Sequence, residues 1–168
     1  VVRTDSDGRY EMSSSKPCGY VFMSIPGGYE TAADGLIPRF FGYTTHCDLD
    51  VIDFQLEKRS NDNFTLFVST DTHLRGDPEE LLPQFRKWYL PDISREIERT
   101  KGPVYSLHLG DMTTDIMWHK NDFALRKYLD VMKTYPSPVF HIPGNHDNER
   151  FVDPEIPDAL WDSIAQRP

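Results

Sequence analysis

The spacing of hydrophobic and polar positions changes once along this chain, near residue 63. Before that point apolar residues come in short, alternating runs. The turn cluster Asp5-Ser6-Asp7-Gly8 precedes Arg9-Tyr10-Glu11-Met12, and Cys18 to Ile25 is rich in β-formers and stops at Pro26-Gly27-Gly28. Leu49 to Leu56 alternates, with Ile52, Phe54 and Leu56 on one face. Alternation between Gly/Pro turns predicts short strands, here a small all-β, sandwich-like module over residues 1–57. Residues 58–63 are polar or charged without a period and read as a linker. From residue 64 to residue 168 the period alternates between two and 3.6. Phe64–Thr70, Tyr105–Leu109 and Val139–Ile142 read as buried strands. A helix is predicted from about Pro78, with Leu81, Leu82, Phe85, Trp88 and Tyr89 at helical spacing. Pro91 interrupts it, and Ile93 with Ile97 continues a second apolar face. A second helix is predicted over His119–Tyr135, where Leu125, Tyr128, Leu129 and Met132 fall at i, i+3, i+4 and i+7, and a third around Pro157–Ala165. Strands alternating with helices imply a parallel sheet with right-handed crossovers.

Composition narrows the class. The chain has 168 residues, 38% hydrophobic and 12% aromatic, which suffices for a core and argues against disorder. The net charge of −9 disfavours nucleic acid, because phosphate-backbone binding rests on clustered basic charge. No run of 18 apolar residues is present, so no transmembrane helix is expected. No signal peptide opens the chain, and Val1-Val2-Arg3-Thr4 reads as the middle of a strand, so a processed or trimmed start is expected. Cys18 and Cys47 belong to no CxxC pair, and a single disulfide or two unpaired, buried thiols both fit.

The chemistry lies where the β-runs of the second part stop. Asp71-Thr72-His73 follows the first, Gly110-Asp111 the second, and Gly144-Asn145-His146-Asp147 the third. Open α/β sheets place their ligands at strand ends. Asp-x-His at an extended strand end would put a carboxylate and an imidazole on one side by period-two alternation. Glycine before Asp111 lets backbone approach a ligand, and the carboxylate can bridge two ions. Oxygen and imidazole donors together suit a pair of first-row divalent metals. Asp5-x-Asp7-Gly8 invites a calcium reading, but an EF-hand loop needs Gly at its sixth position and Glu at its twelfth. Tyr10 and Lys16 stand there, so this segment is read as a turn.

In order and spacing, D-x-H, then G-D, then G-N-H-D, the chain resembles the calcineurin-like metallophosphoesterase family. The Thr4–Tyr10 segment resembles β-sandwich modules that precede such domains in exported bacterial proteins. The resemblance implies an α/β metallophosphoesterase-like sheet with flanking helices, first half only, behind the β module. It implies two divalent ions (Mn, Fe or Zn) and a small phosphoester substrate. Asp71 and His73 would ligate the first metal, Asp111 would bridge both, and Asn145 would bind the second through its side-chain oxygen. His146 would face the substrate and assist the leaving group when a metal-bridged hydroxide attacks phosphorus. Asp115 and Asp147 are candidates for supporting these residues from behind.

The departures from the family pattern set further expectations. The family draws more histidines from a later Gly-His and Gly-His-x-His, but no histidine follows His146 here. The chain is therefore expected to be part of a longer protein, weak or inactive alone, and by resemblance exported to the periplasm or cell surface. Thr114 replaces the tyrosine of purple acid phosphatases, and the G-D-x-V-D-R-G of protein Ser/Thr phosphatases is absent. His108 and His141 are expected to be packed, hydrogen-bonded strand residues, and His46 and His119 to be surface residues. Trp88, Tyr89 and Trp118 are expected in the core. The leading function is metal-dependent hydrolysis of phosphate mono- or diesters. The second is a non-catalytic glycan- or protein-binding module carrying a relic phosphoesterase domain.

Overall fold

The computed structural model of the chain describes residues 1–15, 18–44, 51–75, 81–114 and 125–147. Before residue 64 it holds three antiparallel ribbons of two strands. β1 (Gly19–Phe22) pairs with β5 (Phe41–Thr44), β2 (Tyr29–Thr31) with β6 (Leu56–Lys58), and β3 (Ala33–Asp34) with β4 (Ile37–Pro38). The alternation read over Leu49–Leu56 survives as burial: Ile52, Phe54 and Leu56 are half-buried while Val51, Asp53 and Gln55 are exposed. Arg9–Met12 differs from expectation and forms no strand. Tyr10 docks by its side chain instead, donating its hydroxyl to the Ile52 carbonyl at 2.8 Å beside the Phe54 ring. Asp5–Gly8 is a turn, in which the Asp5 carboxylate accepts the Asp7 and Arg9 backbone N–H groups at 2.9 Å each.

The second part is built on a parallel sheet in the order β7 (Thr65–Ser69), β8 (Val104–His108), β9 (Val139–His141). The register aligns Ser69, His108 and His141, so all three strands end level. One face of the sheet packs on helices through Phe67, Val104 and Val139 against Ile97, Tyr128 and Val131. Buried Ser106 on that face is satisfied by the Tyr135 and Ser137 hydroxyls at 3.1 and 2.8 Å. Leu66, Val68, Leu109 and Ile142 are exposed.

Between β7 and β8 runs one helical path: α1 (Leu81–Gln84), a π turn over Phe85–Tyr89, then α2 (Leu90–Arg99). Pro91 does not interrupt the helix as expected but sits in the first turn of α2. Proline lacks an N–H and its ring crowds the carbonyl four residues back. The π turn, in which Leu90 N–H reaches the Phe85 carbonyl, spaces the backbone there differently. It also corrects the reading of Trp88. The wider turn hands the apolar stripe from Phe85 to Tyr89, whose rings stack at 4.6 Å, and leaves Trp88 59% exposed beneath the Lys87 ammonium. Between β8 and β9, α3 (Leu125–Val131) ends in a 3-10 turn, Met132–Thr134. Its Leu125, Tyr128, Leu129 and Met132 all face the core, as their spacing predicts. The helix around Pro157–Ala165, and Trp118, His119, His46 and Cys47, lie outside the described residues; Cys18 is a free, exposed thiol.

The two parts are joined at the N-terminal ends of the parallel strands. Val139 N–H donates to the Leu36 carbonyl at 2.8 Å, Leu36 enters the common core, and the Phe40 and Phe140 rings lie 5.6 Å apart. The stretch read as a linker is anchored. Arg59 pairs with Glu30 at 2.8 Å, Glu30 accepts from the Tyr105 hydroxyl at 2.6 Å, and Asn61 accepts the Gly28 N–H at 2.9 Å. No helix among the described residues is long and apolar enough to cross a membrane.

Candidate metal centre

At the other end of the sheet the three motif loops meet. The first loop zips onto the second by backbone bonds: Asp71 N–H to Gly110 carbonyl (3.0 Å), His73 N–H to Asp111 carbonyl (2.9 Å) and Leu74 N–H to Met112 carbonyl (3.0 Å). The third loop joins the second through Ile142 N–H to the His108 carbonyl (2.9 Å) and His146 N–H to Asp111 Oδ1 (2.8 Å). Two glycines permit the approach. A Cβ on Gly110, whose φ is +104°, would lie 2.7 Å from the Gly144 backbone, and one on Gly144 would collide with Asp111.

These contacts bring Asp71, His73 and Asp111 together, with one donor atom from each within 4.8 Å of the others. How they converge differs from the sequence reading. β7 ends at Ser69, so no extended pleat aligns Asp71 with His73. Both have left-handed backbones, φ 53° and 45°, and so does Asp111 at 52°. They are the only non-glycine residues with positive φ among those described. Such a conformation costs of order 1 kcal/mol or more for an L-residue and clusters where surrounding structure over-determines it. The Thr70 hydroxyl, 2.5 Å from Asp71 Oδ2, and the His73 imidazole, 3.4 Å from Oδ1, hold the Asp71 carboxyl below its ordinary pKa. Two carboxylates and an imidazole so placed fit a first-row divalent ion.

The remaining motif residues surround this cluster. Asn145 is exposed at the tip of the third loop. The His146 ring stands edge-on to the His73 ring at 4.9 Å, and its Nδ1 is buried without a hydrogen bond among the described residues. Asp147 is 3% exposed. Its Oδ1 accepts Thr113 N–H (2.9 Å) and the Thr113 hydroxyl (3.2 Å), and its Oδ2 accepts Gly144 N–H (2.9 Å) and Met112 N–H (3.2 Å). It thus clamps the second loop to the third. Asp115 lies outside the described residues. His108 and His141 are packed strand residues, as read. Burial lowers the pKa of both, His141 to about 4. Thr70 escaped the sequence reading, although a hydroxyl directly before a candidate ligand is a signal that was available. The left-handed backbones carried none, because Asp and His are not confined to that region.

A metal-ligand cluster at the carboxyl ends of a parallel sheet marks a metallophosphoesterase-type site when the motif order is D-x-H, G-D, G-N-H-D. The chain belongs to the calcineurin-like phosphoesterase family: residues 64–166 match "Calcineurin-like phosphoesterase" and residues 1–59 match "N terminal of Calcineurin-like phosphoesterase". Neither a curated protein nor a solved structure matches the chain significantly.

Proposed function

We propose that the protein hydrolyses phosphate mono- or diesters of small molecules, using two divalent ions (Mn, Fe or Zn). The observation that carries this is the convergence of Asp71, His73 and Asp111 at the strand ends. Asp71 and His73 would hold one ion, Asp111 would be shared, and Asn145 would offer its side-chain oxygen to the second. Bound there, divalent ions supply Lewis acidity toward the phosphoryl oxygens and lower the pKa of water.

The chain's own groups do the rest. The His146 N–H on Asp111 Oδ1 fixes the third loop against the shared ligand, which keeps the His146 imidazole beside His73. As the P–O bond breaks, charge develops on the departing oxygen, and His146 gives it a proton or a hydrogen bond. Such assistance contributes typically ~10²–10⁴-fold. Residues 1–57 form an N-terminal module that packs at the far end of the sheet, away from the motif loops. The test is turnover of an aryl phosphate monoester and diester by the full-length protein loaded with Mn²⁺, alongside Asp111→Asn. Wild-type turnover in that variant would refute the two-ion reading.

A further inference from the structure

His108 ends β8, three residues before Asp111, and is 1% exposed. Its ring packs edge-on to Tyr128 at 5.9 Å and lies over His141 at 6.4 Å, so it has one orientation. Three of its polar atoms each reach a different motif loop. The carbonyl accepts Ile142 N–H, which leads into the third loop, at 2.9 Å. Nδ1 accepts Gly110 N–H of the second loop at 3.3 Å. Nε2 is 3.2 Å from the hydroxyl of Thr72, the residue between Asp71 and His73.

The directions of these bonds have one consistent solution. A backbone N–H can only donate, so Nδ1 must be a bare lone pair. The Thr72 hydroxyl spends its proton on the Met112 carbonyl at 3.0 Å, so toward His108 it must accept. Nε2 therefore carries the hydrogen. We propose that His108 is a positioning residue: as the neutral Nε2–H tautomer it ties the Asp71/His73 loop to the Asp111 loop and holds their ligands at metal-binding separation. The link runs from Gly110 N–H to Nδ1, through the ring to Nε2–H, to the Thr72 hydroxyl, and on to Met112, so it encloses Asp111 on both sides. Groups that orient metal ligands from behind typically change metal affinity ~10–100-fold when lost. The loss of this link, one step removed from the ligands, is set at roughly 10-fold.

This inference rests on the metal-site reading above, and two measurements separate them. The first needs neither metal nor substitution. In protein labelled with ¹⁵N-histidine, a two-bond ¹H–¹⁵N correlation distinguishes the ring tautomers, and the His108 signal is assigned by its contact with the Thr72 methyl. The Nε2–H pattern is expected; an Nδ1–H pattern or a rapidly exchanging mixture overturns the proposal. The second is calorimetric titration with Mn²⁺ alone. His108→Leu and Thr72→Val, each close in shape to the parent, should each weaken binding roughly 10-fold, and the double variant no more than either. His108→Gln, whose amide N–H lies as many bonds from Cα as Nε2, should restore affinity to within about threefold of the parent. If the single losses multiply in the double variant, or if Gln is as weak as Leu, His108 acts by packing and the proposal fails. If the parent binds no Mn²⁺, the metal-site reading fails, whatever the tautomer.

Discussion

Replacing Asp147 by Asn keeps its shape and tests how the second and third loops are held. Each carboxylate oxygen accepts two hydrogen bonds, Thr113 N–H and hydroxyl on Oδ1, Gly144 and Met112 N–H on Oδ2. An amide has one oxygen. Its best orientation keeps that oxygen on Gly144 and Met112 and turns the NH₂ toward Thr113, whose hydroxyl can rotate to accept. Thr113 N–H then faces another donor and loses its carboxylate partner in a buried site. One orphaned buried donor costs about 1–3 kcal/mol, and the surviving bonds lose their charge assistance. Asp147→Asn should therefore destabilise by about 2–3 kcal/mol. Asp147→Ala removes the carboxylate partner of three backbone N–H groups and should cost about 4 kcal/mol or more, a large part of a typical 5–15 kcal/mol. Urea unfolding followed by tryptophan fluorescence measures both. An Asn variant within 0.5 kcal/mol of the parent, at unchanged m-value, would refute the claim that these four bonds carry the junction.

Asp111→Asn should lower Mn²⁺-dependent aryl phosphate turnover more than roughly 100-fold, beyond the upper end for groups that merely orient ligands; near-parental turnover would count against a shared ligand. His146→Ala should leave metal content by elemental analysis unchanged while lowering turnover, most for esters with basic leaving groups; loss of metal would make His146 a ligand. Gly144→Ala drives a Cβ into Asp111 and should cost about 1–3 kcal/mol in unfolding, with weakened Mn²⁺ binding. Burial pushes His141 to about 4, so between pH 6.5 and 4 the unfolded chain takes up a proton that the folded chain refuses. Stability must then fall as pH drops through that window, by roughly 3 kcal/mol at about 1.4 kcal/mol per pH unit, and His141→Phe should flatten the fall in urea midpoints measured across it.

How far the sequence could be read depended on whether a feature was local. The three strands of the parallel sheet and the apolar face of α3 follow from residue spacing, because burial on a sheet or one helix face imposes a period that any sequence must obey. The ligand-type residues were visible because they follow those strands directly. Trp88 was misread because a π turn changes the period within a helix, and only the conflict between Pro91 and an unbroken apolar stripe hinted at it. Arg9–Met12 has strand-like residues but pairs with no strand among the described residues, and pairing is set by tertiary context. The anchoring of Arg59 and Asn61 was invisible for the same reason: their partners, Glu30, Gly28 and Tyr105, lie 29 to 44 positions away.

The left-handed backbones connect these levels. Asp71, His73 and Asp111 would relax to ordinary conformations in isolated loops, and their carboxylates and imidazole would separate. Three sets of interactions oppose this: the backbone bonds from the first loop to Gly110, Asp111 and Met112, the Asp147 clamp, and the seating of His146 N–H on Asp111. These bonds join protein groups to one another, so they favour the cluster whether or not an ion is bound. Two carboxylates held this close repel each other, and a cation relieves that repulsion. Metal binding and folding should therefore be coupled in a specific direction: saturating Mn²⁺ should raise the unfolding free energy of the parent protein by RT ln(1 + [L]/Kd), about 2.7 kcal/mol at a hundredfold excess over Kd. Asp71→Asn, which removes a carboxylate that the Thr70 hydroxyl and His73 favour in its ionised form at an exposed position, should leave the metal-free protein as stable as the parent or slightly less so, while abolishing most of the Mn²⁺-dependent gain. If Asp71→Asn instead weakened the metal-free protein by more than about 1 kcal/mol, the carboxylate would be supporting the loop rather than waiting for a cation.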